Sequence, residues 1–185
     1  MLDGVAFPDQ LAACTADAAA LTATLSEAQG RWRPEPGRWS VAECLAHLAA
    51  TARQYEPGLE KAARTVRSRG RQLPGPYRPS WFGRQLAGFM EPGRGARVRT
   101  SATLTPPSGV TLADAARAFA EAQRMLQATL DMTTGLDLDS ATLRSPVLPV
   151  LRLSLGTVLA MLTAHERRHL AQARRVIEAT GFPVA

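Results

Sequence analysis

The sequence is poor in several chemically informative residue types: it has two cysteines, three histidines, one lysine and only 5% aromatic residues. Cys14 and Cys44 are too few for a disulfide framework, and neither belongs to a Cys-x-x-Cys pair. This pattern argues against thiolate zinc sites and dithiol redox chemistry. No glycine-rich phosphate loop and no Ser-His-Asp arrangement is present either, which removes two common classes of enzyme.

Long apolar runs are also missing. No stretch is long and apolar enough to span a bilayer, and the amino-terminal residues lack a basic region followed by an apolar one. We therefore expect a cytoplasmic protein without a membrane partner. Its 185 residues suffice for one domain with a full core, so we expect residues 1–185 to form a single domain.

The net charge of +6 at pH 7 is concentrated in one segment. Residues 71–110 contain a single acid, Glu91, against six arginines: Arg71, Arg78, Arg84, Arg94, Arg97 and Arg99. A nucleic-acid binder more often carries its charge on a helix or on a sheet with stacking aromatics, so nucleic acid is not the favoured partner. This Pro- and Gly-rich segment is either a solvated loop or a positive rim that attracts an anionic small-molecule substrate.

Abundant alanine and apolar residues spaced three and four apart predict an all-α fold. We expect a four-helix bundle with long connections between helices 2 and 3 and between helices 3 and 4. The predicted helices run from Pro8 to about Gln29, from Ser40 towards Arg69 with a kink where Pro57-Gly58 interrupts it, from Thr111 to Gly135, and from Ser154 to about Thr180.

The two long connections carry their own expectations. A loop as long as residues 71–110 is usually functional or contains short local structure. In the second connection, the apolar run 147–151 is expected to pack against the bundle even without forming a regular helix.

All three histidines fall on apolar helix faces. His165 and His169 stand four residues apart on the last predicted helix, which places both imidazoles on one face. His47 lies on the apolar side of the second. A single histidine in such a position is more often a hydrogen-bonded core residue than a ligand. Two adjacent buried imidazoles are costly unless their nitrogens are satisfied, and a divalent ion satisfies them well, so we interpret the three as one metal site.

Residues near the histidines have simpler interpretations. Cys44 precedes His47 by one turn, but a small buried hydrophobe is the better interpretation of it. Glu43 and Ser40 have the spacing of a capping box, so Glu43 is predicted to be a helix cap and not a general base. Glu166 points about 100° away from His165, which favours a surface or salt-bridging position. No catalytic acid or base can be assigned from these patterns.

The sequence resembles the DinB-like superfamily of metal-binding four-helix bundles, which includes the YfiT-type metal-dependent hydrolases. The resemblance extends from the first helix to Gly181-Phe-Pro183. The residues that carry it are Trp39-Ser40, Glu43, His47-Leu48, and His165-Glu-Arg-Arg-His169-Leu-x-Gln172. It implies that His47, His165 and His169 bind zinc, nickel or another divalent ion. It also implies a homodimer, because members of the family often form dimers.

Two functions remain open at this point. Members of the family with known activity include transferases and isomerases that use a low-molecular-weight thiol such as bacillithiol, mycothiol or glutathione. A metal-dependent enzyme, either a hydrolase or a small-thiol-dependent S-transferase, is the leading hypothesis. The alternative is a non-catalytic, stress-related dimer that binds a metal or another ligand. Gln172, Arg168 and Arg84 are the candidates for supporting the metal ligands or contacting the substrate.

Overall fold

The computed structural model describes residues 5–94 and 102–184, and helices dominate it. The helices are α1 (Phe7–Ala23), α2 (Glu27–Arg31), α3 (Val41–Arg69), α4 (Trp81–Met90), α5 (Leu112–Met132) and α6 (Leu155–Ile177). Two short antiparallel strands, β1 (Thr142–Arg144) and β2 (Arg152–Ser154), form a hairpin just before α6. Among the described helices, none has the length and apolar character needed to cross a membrane.

The four long helices α1, α3, α5 and α6 form the bundle, which confirms the predicted fold class. Both α1 and α3 pack against α5 and α6. Helices α1 and α3 therefore occupy one diagonal of the bundle, and α5 and α6 occupy the other. The buried core runs along the inside of all four, and the last three begin where the sequence predicts. Ser40, Thr111 and Ser154 each accept a hydrogen bond from a backbone N–H in the first turn of the helix that follows.

The predicted carboxyl end of the first helix is wrong. Instead of one helix to Gln29, the chain forms α1 to Ala23 and then the short α2. Ser26 caps α2: its side chain accepts from the Gln29 N–H, while the Gln29 side chain accepts from the Ser26 N–H. This capping box holds Ser26 in an extended conformation, and the helix cannot continue through it.

Helix α3 is not interrupted at Pro57 but continues through it, while the kink expected there stays a prediction. A proline inside a helix removes one backbone hydrogen bond. Here the buried side chains of Tyr55 and Leu59 anchor the turns on both sides. Gly58 has a separate role: a Cβ at this position would lie 2.9 Å from Leu143 Cδ1, so the missing side chain lets the hairpin pack closely on α3.

The two long connections contain local structure. Within residues 71–110, α4 packs against α6 through its Gly83, Leu86, Ala87 and Met90 side. In the second connection, Leu143 and Leu153 pair across the hairpin and are buried. The predicted packing of the apolar run 147–151 is wrong for most of it, since Val147, Leu148 and Val150 are exposed at the hairpin tip. The paired strands, and not the tip, supply the apolar contacts.

Candidate metal centre

The three histidines meet inside the bundle. His47 projects from α3, and His165 and His169 project from successive turns of α6. One ligand nitrogen from each lies within 4.8 Å of the other two. The Nε2 atoms of His47 and His165 are 3.2 Å apart. Two nitrogens bound to one tetrahedral zinc ion at the usual bond length lie about 3.3 Å apart, so this spacing fits a shared ion.

A backbone carbonyl orients His47. Its Nδ1 lies 2.8 Å from the carbonyl oxygen of Leu104, which is near the end of the first long connection. Because a carbonyl can only accept, this bond fixes the proton on Nδ1 and leaves the Nε2 lone pair facing His165. Histidine ligands of metals almost always have such a partner on the second nitrogen.

An indole ring forms one side of the cluster. The half-buried Trp39 lies with its ring centroid 4.7 Å from that of His47 and 5.6 Å from that of His169. Nδ1 of His169 is buried and has no hydrogen-bond partner, one of two such side-chain atoms among the described residues. The centre of the site is therefore polar, and the Trp39 ring covers one side of it. One of its buried nitrogens lacks a hydrogen-bond partner among the described residues.

Burial keeps all three imidazoles neutral. Desolvation lowers the pKa of His47 below its ordinary value, although the bond to Leu104 opposes this. For His165, desolvation, then His47 and Arg168, lower the pKa to about 3. For His169, desolvation and the repulsion that its protonated ring would meet from protonated His165, protonated His47 and Arg168 lower the pKa to about 2. Neutral imidazole is the form that binds a metal, so the donor set, its spacing and its protonation state fit a divalent ion.

Two neighbours of His47 have structural roles. Glu43 caps α3, as predicted, and also receives a two-point hydrogen bond from Arg33. Burial alone would raise the pKa of Glu43, but the bonds from Arg33 and Ser40 outweigh it and lower the pKa. Cys44 is fully buried in the core, and burial raises its pKa well above the usual value. It does not join the group of possible ligands found among the described residues.

The predicted surface position of Glu166 is wrong. Its side chain is 4% exposed and lies in the bundle interior. Oε1 accepts a 2.7 Å hydrogen bond from Nε2 of Gln123 on α5, while Oε2 has no hydrogen-bond partner among the described residues. Burial raises the pKa of Glu166 to about 7, against the lowering effects of Gln123, Cys14 and Arg167. The helical angle away from His165 was predicted correctly, but that direction leads into the core and not to solvent.

Of the other candidate site residues, Arg168 and Gln172 lie near the histidines, whereas the contacts of Arg84 do not place it there. Arg168 donates to the carbonyls of Phe89 at 3.1 Å and Arg94 at 2.8 Å, and its charge acts on His165 and His169. Gln172 lies near His169 and raises the pKa of that imidazole, against the stronger lowering effects. Arg84 donates to the carbonyl of Pro79, before its own helix, so its described contacts do not place it beside the histidines. Two of the six arginines in residues 71–110, Arg97 and Arg99, lie outside the described residues.

Comparison with known proteins agrees with this architecture. A sequence profile of the DinB superfamily matches residues 10–173. The chain belongs to the DinB superfamily. Among solved structures, this DinB-superfamily chain is similar to YfiT from Bacillus subtilis, described as "a probable metal-dependent hydrolase with an unusual four-helix bundle topology". The match covers 96% of this chain and 87% of YfiT, with a TM-score of 0.51 and 15% identity, and it bears on the fold alone. A comparison with curated proteins found no match.

The lowered histidine pKa values predict a pH-dependent stability for the metal-free DinB-superfamily protein. In the unfolded chain the histidines bind protons below pH ~6.5, but His165 and His169 in the folded protein stay neutral down to about pH 3. The unfolded state then binds more protons, so the free energy of unfolding should fall as the pH drops below 6.5. Urea denaturation of chelator-treated protein at pH 7, 6 and 5 measures this.

The ionisation of Glu166 changes the free energy of unfolding with pH in the opposite direction to the histidines. Its folded pKa is raised from 4.5 to about 7, so its contribution to stability decreases as the pH rises through that window. Glu166→Gln removes this contribution and should make the loss of stability between pH 7 and 5 steeper. A urea midpoint that does not change between pH 7 and 5 in either protein would contradict the assigned protonation states.

Proposed function

We propose that His47, His165 and His169 hold one divalent ion, zinc or nickel, and that the protein is a metal-dependent enzyme acting on a small molecule. The observation that carries this proposal is the convergence of three neutral imidazoles within 4.8 Å, a group that no thiolate or carboxylate of the described residues joins. Three protein ligands are typical of catalytic zinc sites, which keep a further position for water or substrate, whereas structural sites have four. The fold shared with YfiT, a probable metal-dependent hydrolase, supports the proposal of a metal-dependent enzyme.

The residues of the chain define what such a site does. An ion bound there would lower the pKa of a water or thiol and polarise a carbonyl, as in hydrolases and thiol transferases. His47 is held in the correct tautomer by the Leu104 carbonyl. Trp39 covers the side near His47 and His169 and keeps water from that face. Because Glu43 is engaged as a cap and Glu166 faces the core, neither carboxylate is placed to act as the general base.

Metal binding is testable with the tryptophan beside the site. In a Trp32→Phe/Trp81→Phe variant, Trp39 is the remaining tryptophan, and its ring lies next to two of the histidines. We expect Co²⁺ or Ni²⁺ to quench its fluorescence with a stoichiometry of one ion per chain. The matched Trp39→Phe/Trp81→Phe variant keeps Trp32, which packs against Phe182, and should show little quenching. Equal quenching in both variants, or no metal uptake, would refute the site.

Activity separates an enzyme from a non-catalytic binding protein. A screen of ester and amide hydrolysis and of thiol transfer from glutathione, bacillithiol and mycothiol is the direct assay. Activity that disappears in His165→Ala supports the enzyme. Stoichiometric metal without activity in any assay favours the stress-related binding protein. The homodimer also stays a prediction, which sedimentation equilibrium tests.

The positive charge of Arg168 leads us to predict that the metal-loaded protein binds anionic thiols more tightly than neutral ones. Its charge acts on two of the histidines, while none of the acids that the structure describes contributes to the pKa shifts of the three. We expect Arg168→Gln to weaken binding of mercaptoacetate to the Co²⁺-loaded protein by about fivefold, the effect of about 1 kcal/mol from one partly exposed charge. Binding of the neutral 2-mercaptoethanol should change less. Thiolate-to-cobalt absorption measures both.

Arg168→Lys is the matched control, because it keeps the charge but not the planar guanidinium that bonds the two carbonyls. If charge matters, the lysine variant retains the preference and added salt weakens mercaptoacetate binding to the wild type. A salt-independent affinity, or an equal loss in both variants, would contradict electrostatic attraction.

A further inference from the structure

The three residues between His165 and His169 each bind a different part of the protein. Glu166 accepts from Gln123 on α5. Arg167 forms a two-point ion pair with Glu91 after α4 and donates to Gln10 on α1 at 2.8 Å. Arg168 donates to the carbonyl of Phe89 in α4 and to that of Arg94 after it. The helical turn that carries both histidines is therefore held from several sides.

The Glu166 contact differs from the other two because it passes through the core. Helices α5 and α6 lie on a diagonal of the bundle and do not pack as neighbours, yet Gln123 and Glu166 join them through a 2.7 Å bond. Thr15 on α1 donates to Oε1 of Gln123 at 3.1 Å, which orients the amide so that its NH₂ faces Glu166. Gln123 and Glu166 are each 4% exposed.

Small rotations of α6 matter for the histidines. A side-chain nitrogen lies roughly 6 Å from its helix axis, so a rotation of about 10° displaces it by about 1 Å. Metal–ligand distances tolerate only about 0.2 Å. Apolar packing is non-directional, so it does not by itself select one rotation of a helix. A buried hydrogen bond is directional and selects one rotation.

We propose that Glu166 is a positioning residue, whose bond to Gln123 across the core fixes the rotation of α6 and thereby directs His165 and His169 towards His47. This proposal rests on the proposed metal site. It assigns Glu166 no contact with the ion or with substrate, since its side chain lies about 60° to 100° around the helix from the two histidines.

The test compares variants that remove the bond with variants that keep it. Glu166→Leu/Gln123→Leu replaces both partners by apolar side chains, so no buried polar atom of this pair is left without a partner. Glu166→Gln keeps an oxygen that accepts from Gln123. Thr163→Val is the matched control: Thr163 is buried on the same helix, but its hydroxyl bonds only to carbonyls of its own helix. Each protein is titrated with Co²⁺, and its affinity and visible spectrum are recorded with its urea midpoint.

The double leucine variant should fold with nearly unchanged stability but bind Co²⁺ about tenfold or more weakly, with an altered visible spectrum. Glu166→Gln and Thr163→Val should stay close to wild type in Co²⁺ affinity and in visible spectrum. If the double variant does not fold, Gln123→Met, which keeps the side-chain length and removes the donor, should weaken Co²⁺ binding in the same direction.

The outcomes separate the two proposals. A wild-type protein that takes up no Co²⁺ overturns the metal site and the positioning role together. Wild-type uptake, with the same affinity and spectrum in the folded double variant or in Gln123→Met, overturns only the positioning role. An equal loss in Thr163→Val does so too, because the effect would then follow from losing any buried polar group on α6.

Discussion

His47→Ala should lose nearly all bound metal, as should His165→Ala and His169→Ala. Each substitution leaves two imidazoles, and two ligands do not retain a divalent ion through purification. The loss should appear as a fall from about one ion per chain to near zero by elemental analysis, and the melting temperature should no longer respond to a chelator. This is the largest change that we expect from any single substitution at the site.

Thr51→Val is the matched control for His47→Ala. Thr51 is buried one turn further along α3, and its hydroxyl bonds to the His47 carbonyl, but it has no nitrogen ligand to offer. It should retain the metal. Full occupancy in His47→Ala would remove α3 from the site and leave only the pair on α6.

Gly156→Ala should be among the most destabilising single substitutions. Gly156 lies in the first turn of α6, and a Cβ there would overlap the ring of Tyr77. The ring cannot easily move, because it stacks on Phe7 and its hydroxyl donates to Asp139 at 2.8 Å. Overpacking of this kind costs about 1 to 3 kcal/mol or more, measured as the loss in free energy of unfolding by urea.

Gly88→Ala is the control for helix propensity. Gly88 lies in α4, where an added Cβ meets nothing within 4 Å. Alanine should therefore stabilise the protein by about 0.5 to 1 kcal/mol. The clash at Gly156 is tested further by Tyr77→Leu: in a double-mutant cycle, the cost of Gly156→Ala should shrink when the ring is absent. Equal costs in both backgrounds would show that the ring is not the cause.

Much of the architecture was predictable because local signals agreed with the tertiary structure. Ser40, Thr111 and Ser154 are strong caps, and the apolar spacing that follows each of them identifies a buried helix face. The grouping of the histidines followed from the same periodicity. Each lies where a core residue belongs, and three such positions on two helices can meet at one point.

Other features depend on contacts that a linear pattern does not contain. The capping box at Ser26 divides the first predicted helix because the Gln29 side chain folds back, whereas the apolar spacing simply continues. The position of Glu166 was misjudged because the angle from His165 does not say which neighbour occupies that direction. The Leu104 carbonyl has no sequence signal at all, since any residue offers a backbone oxygen. Trp39 was recognisable as part of a motif but not as a wall of the site.

The sequence distance between the ligands has a kinetic consequence. His47 and His165 are 118 residues apart, so an ion shared by them is a reversible cross-link that closes most of the chain into a loop. Such a link cannot form until α3 and α6 have packed. It should therefore contribute little to the folding transition state and act mainly by slowing unfolding. The lifetime of the native state would then depend on metal supply, although the folding rate would not.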